Sequence, residues 1–194
     1  MPMTGTAVQV TGRKMKIESM NETSLPDEAA LDIDILIEDE RWNAISDLED
    51  LTTNAVAMAV EVAEADLGNA EICVLFTDND EIRRLNAEFR GKDKPTNVLS
   101  FPSGDGPQPD GAPVMLGDIV LAVGIVLDEA EEQGKPLANH VLHLIVHGTL
   151  HLLGFDHEQD DEAEIMEALE IEALARLGLP NPYAEGNASV MVNN

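Results

Sequence analysis

At 194 residues, with 44% of them hydrophobic, the chain is long enough for one domain with a sizeable core, and no composition shift suggests a second. The formal charge of −27 argues against general affinity for polyanions, and a single cysteine excludes a disulfide framework and any thiolate-rich metal site. No stretch approaches the ~20 apolar residues of a membrane span, and the N-terminal segment has no signal-peptide block, so the expected location is the cytoplasm.

Residues 1–30 lack periodicity and are expected to form a disordered or weakly ordered leader. Leu31, Ile33, Ile35 and Ile37 alternate with mainly acidic residues, the period of a half-buried strand. Over residues 45–65, Leu48, Leu51, Ala55, Ala59 and Val62 recur at helical spacing. Residues 71–76 form a short apolar run fit for a central strand, in which Cys73 reads as a packed thiol. Asp78 or Asp80 can cap the next helix, whose inner face is Ile82, Leu85 and Phe89 and whose end is Gly91.

A third strand is expected over 97–101, stopped by Pro102, and a fourth over 116–122, with a Gly, Pro and Asp loop between them. Helices follow over 123–133 and from Pro136 to Leu153, the proline suiting a first helical position because its missing N–H has no partner to lose. Asp160 or Asp161 opens a last helix with Met166, Leu169, Ala173 and Leu177 on one face, ending near Gly178. The reading is an α+β fold: a single domain over 31–183 with a four-stranded mixed sheet packed with about five helices, and a flexible tail over 184–194.

The chemistry is concentrated in H-G-T-L-H-L-L-G-F-D-H, residues 147–157. Positions four apart lie on one helix face, so His147 and His151 can reach a common point, and Gly154 permits the left-handed turn that brings His157 back to it. Three imidazoles plus water form an open catalytic site for one divalent metal ion, zinc first. Metzincin peptidases share this spacing but carry a glutamate directly after the first histidine, where this chain has Gly148. That glycine serves either close helix packing or room for a substrate. His143 shares the face of His147 as a wall of the cleft or a satisfied core residue, and His140 is expected on the helix surface. Asp156 could orient its neighbour or simply belong to the turn, Ser100 could reach phosphate or simply satisfy backbone, and Asp118 is either a buried hydrogen-bond acceptor, the favoured reading, or a base near the metal.

Charge is unevenly spread. Arg83, Arg84, Arg90, Lys92 and Lys94 lie within twelve positions that hold only two acids, whereas residues 156–172 carry nine carboxylates and no Lys or Arg. A local basic patch on an acidic body can guide an anionic substrate.

Together with F-R-G-K-D-K-P-T-N-V-L-S-F-P at 89–102 and L-G-D-I-V-L-A at 116–122, the histidine motif resembles that of the YbeY-type endoribonucleases, over residues 31–183. The resemblance implies a zinc-dependent, single-strand-specific endoribonuclease acting in small-subunit (16S) rRNA maturation and ribosome quality control. It implies His147, His151 and His157 as metal ligands and Arg90 as the functional arginine, facing charge that builds on phosphoryl oxygens. Lys92 and Lys94 would hold backbone phosphates. The attacking group is either water acidified by the metal or the neighbouring 2′-OH. Expected partners are ribosomal RNA, with small-subunit ribosomal proteins or assembly factors as further candidates, and neither DNA nor a membrane. The residues also fit a metal-dependent amide or peptide hydrolase, or a non-catalytic ribosome-assembly factor with a structural metal.

Overall fold

The structure, a computed structural model, describes residues 13–17, 31–104 and 112–184. In chain order the elements are β1 (Arg13–Ile17), β2 (Leu31–Ile37), a 3-10 turn (Glu40–Ala44), α1 (Leu48–Val62), β3 (Ala70–Thr77), α2 (Asn79–Arg90), β4 (Val98–Pro102), β5 (Val114–Ala122), α3 (Val123–Glu132), α4 (Leu137–Leu152) and α5 (Asp160–Arg176). All four expected strands and all five expected helices are present, in one α+β domain with a mixed sheet.

The leader adds a fifth strand. R-K-M-K-I is too short for its alternation to stand out, but β1 pairs antiparallel with β2, its register setting Lys14 opposite Asp34 and Lys16 opposite Asp32. The rest of the leader, and the tail beyond residue 184, lie outside the described residues. The sheet order is β1-β2-β3-β5-β4, with β2, β3 and β5 parallel and β4 antiparallel to β5. This makes β4 an outer edge among the described residues, and the strand stops at Pro102 as its last residue, where on an edge the missing N–H costs no ladder bond.

Strand alternation sorts side chains onto two faces. Ile33, Ile35, Ile72, Val74, Phe76, Ile119 and Leu121 join α1, α4 and α5 in the main core. Val120, Ala122 and Leu99 turn the other way and pack with Ile82 of α2. Because α4 is enclosed by α1, α3, α5 and the sheet, it is buried nearly all round. Full burial of each of Leu144, Ile145, Val146 and Leu150 contributes roughly 1.5–3 kcal/mol.

Three local readings change. Helix α1 begins at Leu48, not near Ile45, because Asp47 takes a left-handed conformation (φ 57°) that a helix cannot pass through. The 3-10 turn before it had no periodic signal, yet its Trp42 is fully buried, donating Nε1–H to the Thr77 carbonyl (3.1 Å) and packing edge-on against Phe76. Phe89 is not on the inner face of α2: it is 61% exposed and leans edge-on against Phe101, ring centroids 5.2 Å apart.

Candidate metal centre and its cleft

Two elements meet at the open edge of β4. Helix α2 is started by Asp78, whose side chain accepts from the backbone N–H groups of Asp80 and Glu81, both at 2.9 Å, and is ended by Gly91 at φ 68°. Arg90 is thereby its last residue, and its Nη2 donates to the Ser100 carbonyl of β4 (3.1 Å). Helix α4 approaches from the other side. It ends through Gly154 at φ 92°, the left-handed turn that returns His157 toward His147 and His151. A cleft of about 480 Å³ opens between them, lined by Arg90, Ser100, Pro102 and the three histidines.

Gly148 resolves in favour of close packing. A Cβ there would lie 3.0 Å from Ile119 Cγ2 and 3.1 Å from Ser100 Oγ, so the missing side chain lets α4 sit directly on β4 and β5. The Ser100 hydroxyl donates to the Gly148 carbonyl (3.2 Å), which assigns it to this joint.

The ligand atoms of His147, His151 and His157 all lie within 4.8 Å of one another. His151 Nδ1 is 3.0 Å from the Phe155 carbonyl, which can only accept, so that nitrogen carries the proton. His147 Nδ1 faces the Glu170 carboxylate at 2.8 Å and is the donor there too. Each ring is left with a lone pair on Nε2, and these two nitrogens face each other at 3.1 Å. Two lone pairs turned to one point in this way suit a shared cation. His157 Nε2 is buried with no hydrogen-bond partner. Burial, and then the neighbouring His147 and His157, push His151 down to about 4, keeping it neutral near pH 7. The donor set therefore fits a divalent ion held by three imidazoles with an open position.

Glu170 is the residue that sequence reasoning missed. It lies 1% exposed on α5, with Oε1 on His147 and Oε2 receiving His143 Nε2 (2.6 Å) and the Tyr183 hydroxyl. Burial pushes this carboxyl up, but the hydrogen bonds from His143 and His147 outweigh it and hold it well below the usual carboxylate range. A signal existed: Glu170 falls four after Met166 and three before Ala173, on the apolar face of its helix. It was hidden among nine carboxylates.

The other candidates sort clearly. His143 is the satisfied residue beside His147. His140, expected on the surface, is 5% exposed and bonded to Glu129 (2.7 Å), because α4 has no solvent face there. Asp156 accepts from the His157 backbone N–H (2.8 Å) and so shapes the turn. Asp118 sits on the α2 side of β5, away from the histidines and exposed rather than buried. In the basic patch, Arg83 pairs with Asp93 and Arg84 with Glu81 and Glu88. Among the described residues Arg90, Lys92 and Lys94 have no ion pair, and of these only Arg90 lines the cleft; the two lysines lie in the loop after α2.

The fold and site define a single-domain α+β protein with a three-histidine cluster able to hold a metal beside an arginine-lined cleft. The family model described as endoribonuclease YbeY matches residues 34–178. The chain belongs to that family. It is 53% identical over 152 residues to a curated protein of Rhodopseudomonas palustris, named "Endoribonuclease YbeY", covering 78% of this chain and 80% of that one. It is 51% identical over 155 residues to one of the same name from Bradyrhizobium sp. strain BTAi1, covering 78% and 92% respectively. The solution structure of TM1509 from Thermotoga maritima is 25% identical, with a TM-score of 0.48, covering 81% of this chain and 96% of that one. No helix among the described residues is long and apolar enough to cross a membrane.

Proposed function

We propose that this chain is a zinc-dependent, single-strand-specific endoribonuclease that acts in the cytoplasm on ribosomal RNA, in small-subunit (16S) maturation and ribosome quality control. The observation that carries the reading is the convergence of three imidazoles, His157 Nε2 among them buried and unpartnered, on a cleft that Arg90 also lines. Membership of an endoribonuclease family supports RNA as the substrate.

His147, His151 and His157 would hold the ion, which when bound supplies Lewis acidity toward a phosphoryl oxygen and lowers the pKa of water to about 7. The protein groups position the substrate. Arg90 spends one N–H on the Ser100 carbonyl, which fixes the guanidinium at the β4 edge and leaves its remaining donors for a phosphate. Negative charge that builds on the phosphoryl oxygens is stabilised there without reorganisation. Lys92 and Lys94, outside the cleft wall, would hold flanking backbone phosphates. Gly148 in place of a glutamate removes the general base that a zinc peptidase uses, which favours RNA cleavage over peptide hydrolysis.

The test strips the purified protein with a chelator and follows cleavage of a 16S rRNA fragment before and after one equivalent of Zn²⁺. Cleavage should disappear and return; cleavage indifferent to metal removal sinks the proposal. His151→Ala should abolish cleavage while the far-UV circular dichroism is kept, whereas loss of folding alone would point to a structural metal.

A further inference from the structure

Among the described residues Glu170 is the only fully buried carboxylate, and no lysine or arginine pairs with it. Its partners are His147, His143 and Tyr183. The two oxygens have separate duties. Oε2 is held by His143 and the Tyr183 hydroxyl, so the carboxylate cannot rotate, and Oε1 is kept for His147. Tyr183 and His143 also stack edge-on, centroids 5.8 Å apart, which closes the group from solvent. Its histidine partners aside, this buried carboxylate has no cationic neighbour among the described residues, and a positive charge that would balance it fits on the far side of the His147 ring.

We infer that Glu170 is the positioning residue of the metal centre: it fixes His147 in its Nδ1–H form with Nε2 turned to the shared point, and its negative charge is balanced by the ion held there. This rests on the metal-centre reading above and names what tunes it. A carboxylate behind a metal-binding imidazole raises the basicity of that ligand, and losing such a partner weakens metal binding about 10–100-fold. The coupling is reciprocal, so the buried charge should make the metal-free protein less stable and the ion should relieve it.

The experiment measures the Zn²⁺ dissociation constant of the full chain and of Glu170→Gln by competition with a chromophoric chelator, with thermal melts in the presence and absence of Zn²⁺. Glu170→Gln should bind Zn²⁺ about 10–100-fold more weakly, melt no lower than the parent when metal-free, and regain RNA cleavage at saturating Zn²⁺. A variant that binds Zn²⁺ as tightly as the parent, or only melts lower when metal-free, overturns the assignment and leaves the metal centre standing. A parent chain that binds no Zn²⁺ overturns both. Should Glu170→Gln fail to fold, ¹⁵N spectra of the unmodified metal-free protein decide: His147 as the Nδ1–H tautomer supports the assignment, and the Nε2–H tautomer refutes it.

Discussion

At Gly117 the backbone has φ 136°, and an added Cβ would stand 2.1 Å from the Phe101 carbonyl oxygen of the neighbouring strand. The same residue marks a slip in the β3–β5 register, where Glu71 pairs with Met115 but Ile72 with Gly117. Gly117→Ala should therefore cost roughly 3 kcal/mol or more, read by urea denaturation, since it adds strain at positive φ to a backbone clash. Gly148→Ala is milder: about 1 kcal/mol of helix propensity is gained against ~1–3 kcal/mol of overpacking at Ile119, for a net loss on the order of 1 kcal/mol. No loss at all would show that α4 can lift off the sheet. Cys73 makes a chemical prediction. Burial, then the charges of Asp118, Asp34 and Glu71, push its thiol up to about 11. Thiolate is the reactive form, so alkylation by iodoacetamide at pH 8 should run roughly 100-fold slower than for a free cysteine near pKa 8.5, and accelerate until about pH 11.

Helix α2 delivers Arg90 to the β4 edge, and both of its ends are set locally, by Asp78 and Gly91. Asp78→Ala should lower stability by about 1 kcal/mol through the loss of its cap. Arg90→Ala should leave stability nearly unchanged, because the residue is exposed, while slowing RNA cleavage by about 10²-fold or more. Equal cleavage by the variant would remove Arg90 from the site. Elements with periodic faces and clear punctuation, such as α2 and α4, were legible in the sequence to within a residue or two. The 3-10 turn around Trp42 was not, because a single apolar residue among polar neighbours has no period. Phe89 misled for a related reason: helical spacing put it with Ile82 and Leu85, but at the C-terminal end of α2 its ring stays exposed and packs edge-on against Phe101 of the edge strand.

For the whole molecule, the net charge of −27 makes self-repulsion a global term. Added salt screens it, so the melting temperature should rise as KCl goes from about 0.1 M to 0.5 M, where the Debye length falls to a few ångströms. A flat response would show that local ion pairs such as Arg84 with Glu81 and Glu88 already absorb the repulsion. Free basicity is local as well: of the four cations without an ion pair among the described residues from Leu31 onward, Arg90, Lys92 and Lys94 follow one another along the chain and only Lys135 stands apart.

By itself the sequence determined the fold class, four of the five described strands, the five α-helices and the three histidines, because each depends on residues within a few positions of one another: a helical period, a capping side chain, a glycine that can turn left-handed. Only tertiary structure decided that β4 is an edge, that Gly148 serves packing, and that Glu170 stands behind His147 from 23 positions away. Those facts follow from how α5 and the sheet close around α4, and contacts between elements far apart in sequence leave no periodic trace along the chain.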